Sequence, residues 1–113
     1  MKYMLLITHG EWLQSGPTQE REQVMGQLMG WWGGLAAQGK LEAGHQLQPP
    51  ETATTVVIDH GRSMLLDRPL MEAKEAIGGY GLIQVADLDE ALAIARSYPA
   101  PDCKIEVRAV VER

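Results

Sequence analysis

Strict alternation opens the chain. In Lys2–Thr8, Tyr3, Leu5 and Ile7 fall on one face and Met4 and Leu6 on the other. Both faces are apolar, so the pattern predicts a strand covered on both sides. The period then changes. Ser15-Gly16-Pro17-Thr18 signals a helix entry, Thr18 can cap, and Glu20 and Glu22 suit the positive first turn. A helix is expected over residues 18–38, stopped by Gly39. Val24, Leu28, Trp31 and Leu35 form one stripe on it; Met25, Met29, Trp32 and Ala36 form its neighbour. Gly26, Gly30 and Gly34 recur every fourth residue on a shared face. Each costs about 1 kcal/mol relative to alanine, so close approach of another backbone, or room for the two tryptophans, is expected there.

Residues 41–47 read as a second strand with Leu41, Ala43, His45 and Leu47 on one side. After Pro49-Pro50 comes a third, 53–59, rich in Thr, Val and Ile. Asp59-His60-Gly61-Arg62 is a hairpin signal with a return strand over 63–66. A loop from Asp67 runs through Glu75, and Gly78-Gly79 leads into a strand over 80–85. Asp87-Leu88-Asp89-Glu90 starts a second helix, with Leu88, Ala91, Leu92, Ala95 and Tyr98 inward and Pro99 and Pro101 as its stop. Residues 104–111 form the last strand, with Lys104, Glu106 and Arg108 facing out.

This order predicts an α+β fold, a ferredoxin-like β-α-β-β-α-β sandwich in which both crossover helices cover one face of a sheet. The first strand and Thr54-Thr55-Val56-Val57-Ile58 are apolar on both faces. A second copy stacked sheet to sheet would cover what the helices leave open, so a homodimer is expected. The 113 residues suit one domain, 1–113.

Charge narrows the partners. Ten Lys and Arg face 15 Asp and Glu, a net −5 with no basic cluster, so direct nucleic-acid binding is not expected. The longest uncharged run, 23–39, holds three glutamines and five glycines, too short and polar for a bilayer span. The apolar start is shorter than a secretion signal needs, and Cys103 is the single cysteine. A cytoplasmic protein is the expectation.

Several stretches together resemble a known family: Met1-Lys2-Tyr3-Met4-Leu5-Leu6-Ile7, Leu47-Gln48-Pro49-Pro50, Thr52-Ala53-Thr54-Thr55-Val56, Asp67-Arg68-Pro69-Leu70-Met71-Glu72-Ala73-Lys74-Glu75, Gly78-Gly79-Tyr80 and Asp87-Leu88-Asp89-Glu90-Ala91. In this order they resemble the YCII-related proteins, in the branch carrying an Asp-Gly-Pro-Phe signature. The resemblance implies a dimeric α+β barrel. It implies no single activity. The wider group resembles a dehydrochlorinase of chlorinated hydroxyhydroquinones, and some members of the branch are linked with extracytoplasmic-function sigma factors. Arg68 replaces the signature glycine and Leu70 the phenylalanine. The wider family's acid-base histidine lies on the first helix, whereas no histidine lies between Gly10 and Gly44 here.

Residues with chemistry to offer are few. His45, on a strand, is a candidate general base or a half-buried histidine bonded to backbone. Asp67 is a candidate orienter or second carboxylate, and Lys74 an anion-binding group. Arg68, Glu72, Trp31 and Tyr80 are candidate substrate contacts, the tryptophan together with Trp32, Met25 and Met29. His9-Gly10-Glu11 lacks further ligands at a recognisable spacing, so no metal is expected, and no nucleotide or hydrolase motif calls for a cofactor. Two functions fit: a cofactor-independent lyase or isomerase moving a proton on a small cyclic or phenolic acid, or a non-catalytic ligand-binding or regulatory module.

Overall fold

In a computed structural model, which describes residues 1–13, 18–70 and 75–113, the alternating segments pair as one antiparallel sheet. Strands β1 (Lys2–Thr8), β2 (Leu41–Gln46), β5 (Ile77–Gln84) and β6 (Ile105–Ala109) lie in the order β2-β5-β1-β6. Helix α1 (Thr18–Ala37) joins β1 to β2 and α2 (Leu88–Arg96) joins β5 to β6. Each helix therefore crosses over one intervening strand, the order compatible with a ferredoxin-like unit.

The helices stop and start as their chemistry dictates. Gly39, at φ +73°, follows α1; its N–H donates to the Ala36 carbonyl and that of Lys40 to Leu35, a Schellman end. At α2, Asp87 Oδ1 accepts from the Glu90 N–H at 2.9 Å, while Glu90 Oε1 accepts from the Ala86 N–H.

Both helices pack on the face that carries Tyr3, Leu5, Ile83 and Val85, with Ala91 of α2 fully buried against them. Leu28 and Leu35 are the buried residues of α1, two turns apart. Leu88, expected inward, is 48% exposed; Ile94 packs on the core from α2. Among the described residues, no helix covers the opposite face of the sheet. Register places Met4 beside Leu82 and Leu6 beside Tyr80 there, with Glu106 and Arg108 paired to each other on β6. Lys2 and Glu42 form a second ion pair at 3.3 Å.

Two expectations are corrected. Strands β3 (Thr55–Asp59) and β4 (Arg62–Leu66) do form the expected hairpin, with His60 and Gly61 both at positive φ, as a type I′ turn requires. But they make a separate two-stranded sheet, so Thr54 to Ile58 are not part of the sheet whose second face stands open. The α1 glycines meet no neighbour either: a Cβ on Gly26, Gly30 or Gly34 would have nothing within 4 Å. The glycines that seat a tryptophan are in the sheet. Gly44 and Gly81 are cross-strand partners, and a Cβ on them would lie 2.7 and 3.1 Å from the Trp32 ring.

Candidate functional site

A small cavity opens where α1 leans over the ends of β1, β2 and β5. It is lined by His9, Trp12, Met25, Met29, Trp32 and Cys103, with Tyr98 at one side, Gly78 and Gly79 below, and His45 of β2 at its edge. The glycines have a reason. A Cβ on Gly78 would lie 2.8 Å from the His9 Cα, so only glycine lets the two chains pass. Gly10 is similarly constrained, since a Cβ would overlap the Asp102 carbonyl.

No carboxylate lines this space, and its volume is about 70 Å3. An engineered cavity that binds benzene measures roughly 150 Å3. The space is smaller than that and suits a group of a few atoms. Burial pushes the Cys103 thiol up from its ordinary value, with the Asp102 charge adding to it, which disfavours the thiolate. Burial also raises the Tyr98 phenol, with a smaller push from Cys103, to about 12.

On the other side of the sheet lies the polar pair. His45 and Tyr80 are cross-strand partners on β2 and β5. Their neighbours Gly44 and Gly81 face Trp32, so the pleat sends His45 and Tyr80 to the open face. His45 Nδ1 lies 2.9 Å from the Tyr80 hydroxyl, with ring centroids 5.7 Å apart. His45 is exposed and Tyr80 half-buried, so solvent reaches both.

The remaining sequence candidates scatter. Trp31 sits between the helices: its indole N–H donates to Ser97 Oγ at 2.8 Å and its ring meets Trp32 and Tyr98 edge-on. Asp67 and Arg68 are exposed on the loop after β4, where the Arg68 carbonyl accepts from Thr55 Oγ1 at 2.7 Å. Glu72 and Lys74 lie outside the described residues. Pro69 and Leu70 border an open apolar groove with Leu47, Pro49, Pro50 and Ile77. Trp12 in the cavity wall was not signalled by the sequence; it stands apart from any periodic segment and is placed by its backbone N–H, which donates to Asp102 Oδ1, 90 residues away. Among the described residues no group of three His, Cys, Asp or Glu side chains could hold a metal. Nor is any helix long and apolar enough to cross a membrane.

An uncharacterised protein of Rhizobium meliloti (strain 1021) is 35% identical over 97 residues, covering 85% of this chain and 78% of the relative. The model of the YCII-related domain matches residues 1–113, from the first strand to the last, and by that match the chain belongs to the YCII-related family.

Proposed function

We propose that this chain works as a homodimer with its sheets stacked face to face as a dimeric α+β barrel, and that His45 and Tyr80 on that face move a proton on a small cyclic or phenolic acid. The observation that carries the reading is the 2.9 Å contact between His45 Nδ1 and the Tyr80 hydroxyl. With the proton on Nδ1, the imidazole donates to the phenol oxygen and Nε2 keeps an open lone pair to accept a substrate proton. The phenol O–H is then free to donate to a developing oxyanion. The open face offers a ring more room than the small cavity on the helix side. In this reading Lys74 is the anion-binding group, Asp67 an orienter or second carboxylate, and Arg68 and Glu72 further substrate contacts. The order of the loop residues also supports the Asp-Gly-Pro-Phe branch, with Arg68 and Leu70 as its departures.

The test is a panel of phenolic and cyclic acids turned over by His45→Ala and Tyr80→Phe proteins. Loss of turnover in His45→Ala, with the dimer and fold intact, is the expected result. Full activity in that variant would remove His45 from the mechanism.

A second reading rests on Leu70. It is 81% exposed beside the apolar groove of Leu47, Pro49 and Pro50, a place for a protein contact and not for catalysis. In this reading the chain is a regulatory module whose 67–75 loop meets a partner; its resemblance points to an extracytoplasmic-function sigma factor. Pull-down with Arg68, Glu72 and Lys74 neutralised tests it, and recovery equal to the unaltered chain counts against the loop.

A further inference from the structure

The glycines of this fold are of two kinds. Gly10, Gly44, Gly78 and Gly81 sit where a Cβ would meet a neighbour at 3.1 Å or less, so packing requires them. Gly39 and Gly61 have positive φ, which their turns require. Gly26, Gly30, Gly33 and Gly34 have neither reason. All four lie inside α1, none has positive φ, and a Cβ on any of them would meet nothing within 4 Å. Each lowers the helical population about fivefold relative to alanine. One helix thus carries a weakness that the packing around it does not demand.

Charge does not repair it. From Gln23 to Gly39 the chain carries none, so no i, i+4 ion pair braces the helix there. No basic residue complements the dipole in its last turn. Packing repairs only the second half. There Leu35 is buried, the Trp31 indole is bonded to Ser97, and Trp32 lies on its seat of Gly44 and Gly81. The first half is held lightly. Of residues 18–30 only Leu28 is buried, and Met29 is 71% exposed. Arg21 ties its start to the Leu13 carbonyl with a 3.3 Å hydrogen bond. This same half covers the cavity, which Met25, Leu28 and Met29 line together with His9, Trp12 and Cys103. A helix over a void lacks partner atoms on that side. Low propensity, one buried side chain and a void beneath are the marks of a segment that opens without the whole fold opening.

We infer that residues 18–30 of α1 are a gate, opening about Gly30 to let a small uncharged apolar molecule into the cavity beneath and closing again over it. The class of ligand follows from the lining. Trp12, Trp32, Met25, Leu28 and Met29 supply apolar surface, and no carboxylate is present to hold a cation. A mostly apolar wall with a few polar groups, here His9, Tyr98 and Cys103, is the ordinary make-up of a small-molecule pocket. The two methionines suit a space that must change size, because an unbranched thioether side chain repacks easily. The closed cavity measures about 70 Å3, so entry and fit both depend on the helix half that bears them. Neither the homodimer nor proton transfer at His45 and Tyr80 is needed for this inference.

The experiment is hydrogen exchange on the full chain, read amide by amide by NMR, with circular dichroism checking each fold. It compares the unaltered protein, Gly26→Ala with Gly30→Ala in the first half of α1, and Gly33→Ala with Gly34→Ala in the second. The gate predicts that amides 22–29 exchange faster than those of β1 and β5. The first pair of substitutions should slow them about 5–25-fold, and the second pair should not. Toluene is the probe ligand. It should slow the same amides saturably and shift the methyl signals of Met25 and Met29. Amides 22–29 that exchange no faster than those of β1 and β5 overturn the gate, as does equal slowing by both variants, which would mean that α1 opens as one unit. A first variant that loses stability overturns it too, showing that another surface packs on Gly26 and Gly30. Toluene at its aqueous solubility limit with no effect on these amides and methyls overturns the apolar ligand.

Discussion

The same substitution, glycine to alanine, is expected to act with opposite sign at two places in this fold. On α1, Gly26 and Gly30 are exposed and an added Cβ meets nothing within 4 Å. Alanine there removes a helix-interior penalty of about 0.8–1 kcal/mol per site. For a chain of this size, 1 kcal/mol moves Tm by about 4 °C, so the double variant gains about 6–8 °C. In the sheet, a Cβ on Gly44 would stand 2.7 Å from the Trp32 ring and 3.1 Å from the Tyr80 carbonyl oxygen. Overpacking of this kind costs about 1–3 kcal/mol, and the smaller entropy gain of alanine, about 0.4–1 kcal/mol, offsets part of it. Gly44→Ala should therefore lower Tm, by up to about 10 °C, and alter the fluorescence of Trp32. A double-mutant cycle with Trp32→Leu isolates the cause, because removing the ring removes the clash and leaves a coupling of about 1 kcal/mol or more. Thermal unfolding followed by circular dichroism reads all of these. A Gly44→Ala protein as stable as the parent, or a cycle with no coupling, would refute the seat assigned to Trp32. A loss of stability in the α1 double variant would show that another surface packs on those glycines in the assembled protein.

Three other outcomes follow from single contacts. The Ala86 N–H donated to Glu90, with Lys40 beside it, holds the Glu90 carboxyl below its ordinary 4.5. A depressed carboxylate stabilises the fold above its unfolded pKa and loses that contribution as pH falls through the folded one, so Glu90→Gln should show a shallower Tm decline than the parent between about pH 5 and pH 3. Ser97 Oγ accepts from Trp31 and donates to the Ile94 carbonyl at the end of α2, so Ser97→Ala should cost about 0.5–1.5 kcal/mol by denaturant titration. Cys103, half-buried with its thiol raised, should alkylate several-fold more slowly than free cysteine at neutral pH and at the free rate in denaturant.

The local signals were legible because each needs only a few neighbouring residues. Alternation fixed β1, the Asp87 box started α2, Gly39 ended α1, and positive φ at His60 and Gly61 made the turn that the Asp59-His60-Gly61-Arg62 signal foretold. Contacts between distant segments were not legible. Nothing in 53–66 distinguishes a strand inside the sheet from one outside it, since alternation and β-branching are the same in both. Leu88 is exposed because the cap residue before it sets the helix phase and turns Leu88 to solvent. The candidate site divides in the same way. His45 and Tyr80 could each be named, but their hydrogen bond depends on a β2–β5 register between residues 35 apart. The sheet glycines that hold Trp32 are separated by 37 positions for the same reason.

The excursion that carries the hairpin returns close to where it leaves. The Leu47 N–H donates to the Gly78 carbonyl at 2.8 Å, immediately beyond the β2–β5 ladder, and just before it the Ala76 carbonyl accepts from the His9 N–H and Ile77 pairs with Thr8, so the hairpin is carried between two tied-down ends. Closing such an excursion costs only slowly more as it lengthens, about 0.6 kcal/mol per doubling. The sheet is thus almost indifferent to what is carried there. The segment can be lengthened, shortened or resculpted without retuning the core, and its present shape answers to whatever it touches and not to the needs of folding. A tight turn replacing the hairpin alone, with Ala76 and Ile77 kept, would leave a smaller protein with the same four strands, in which association could change while architecture did not.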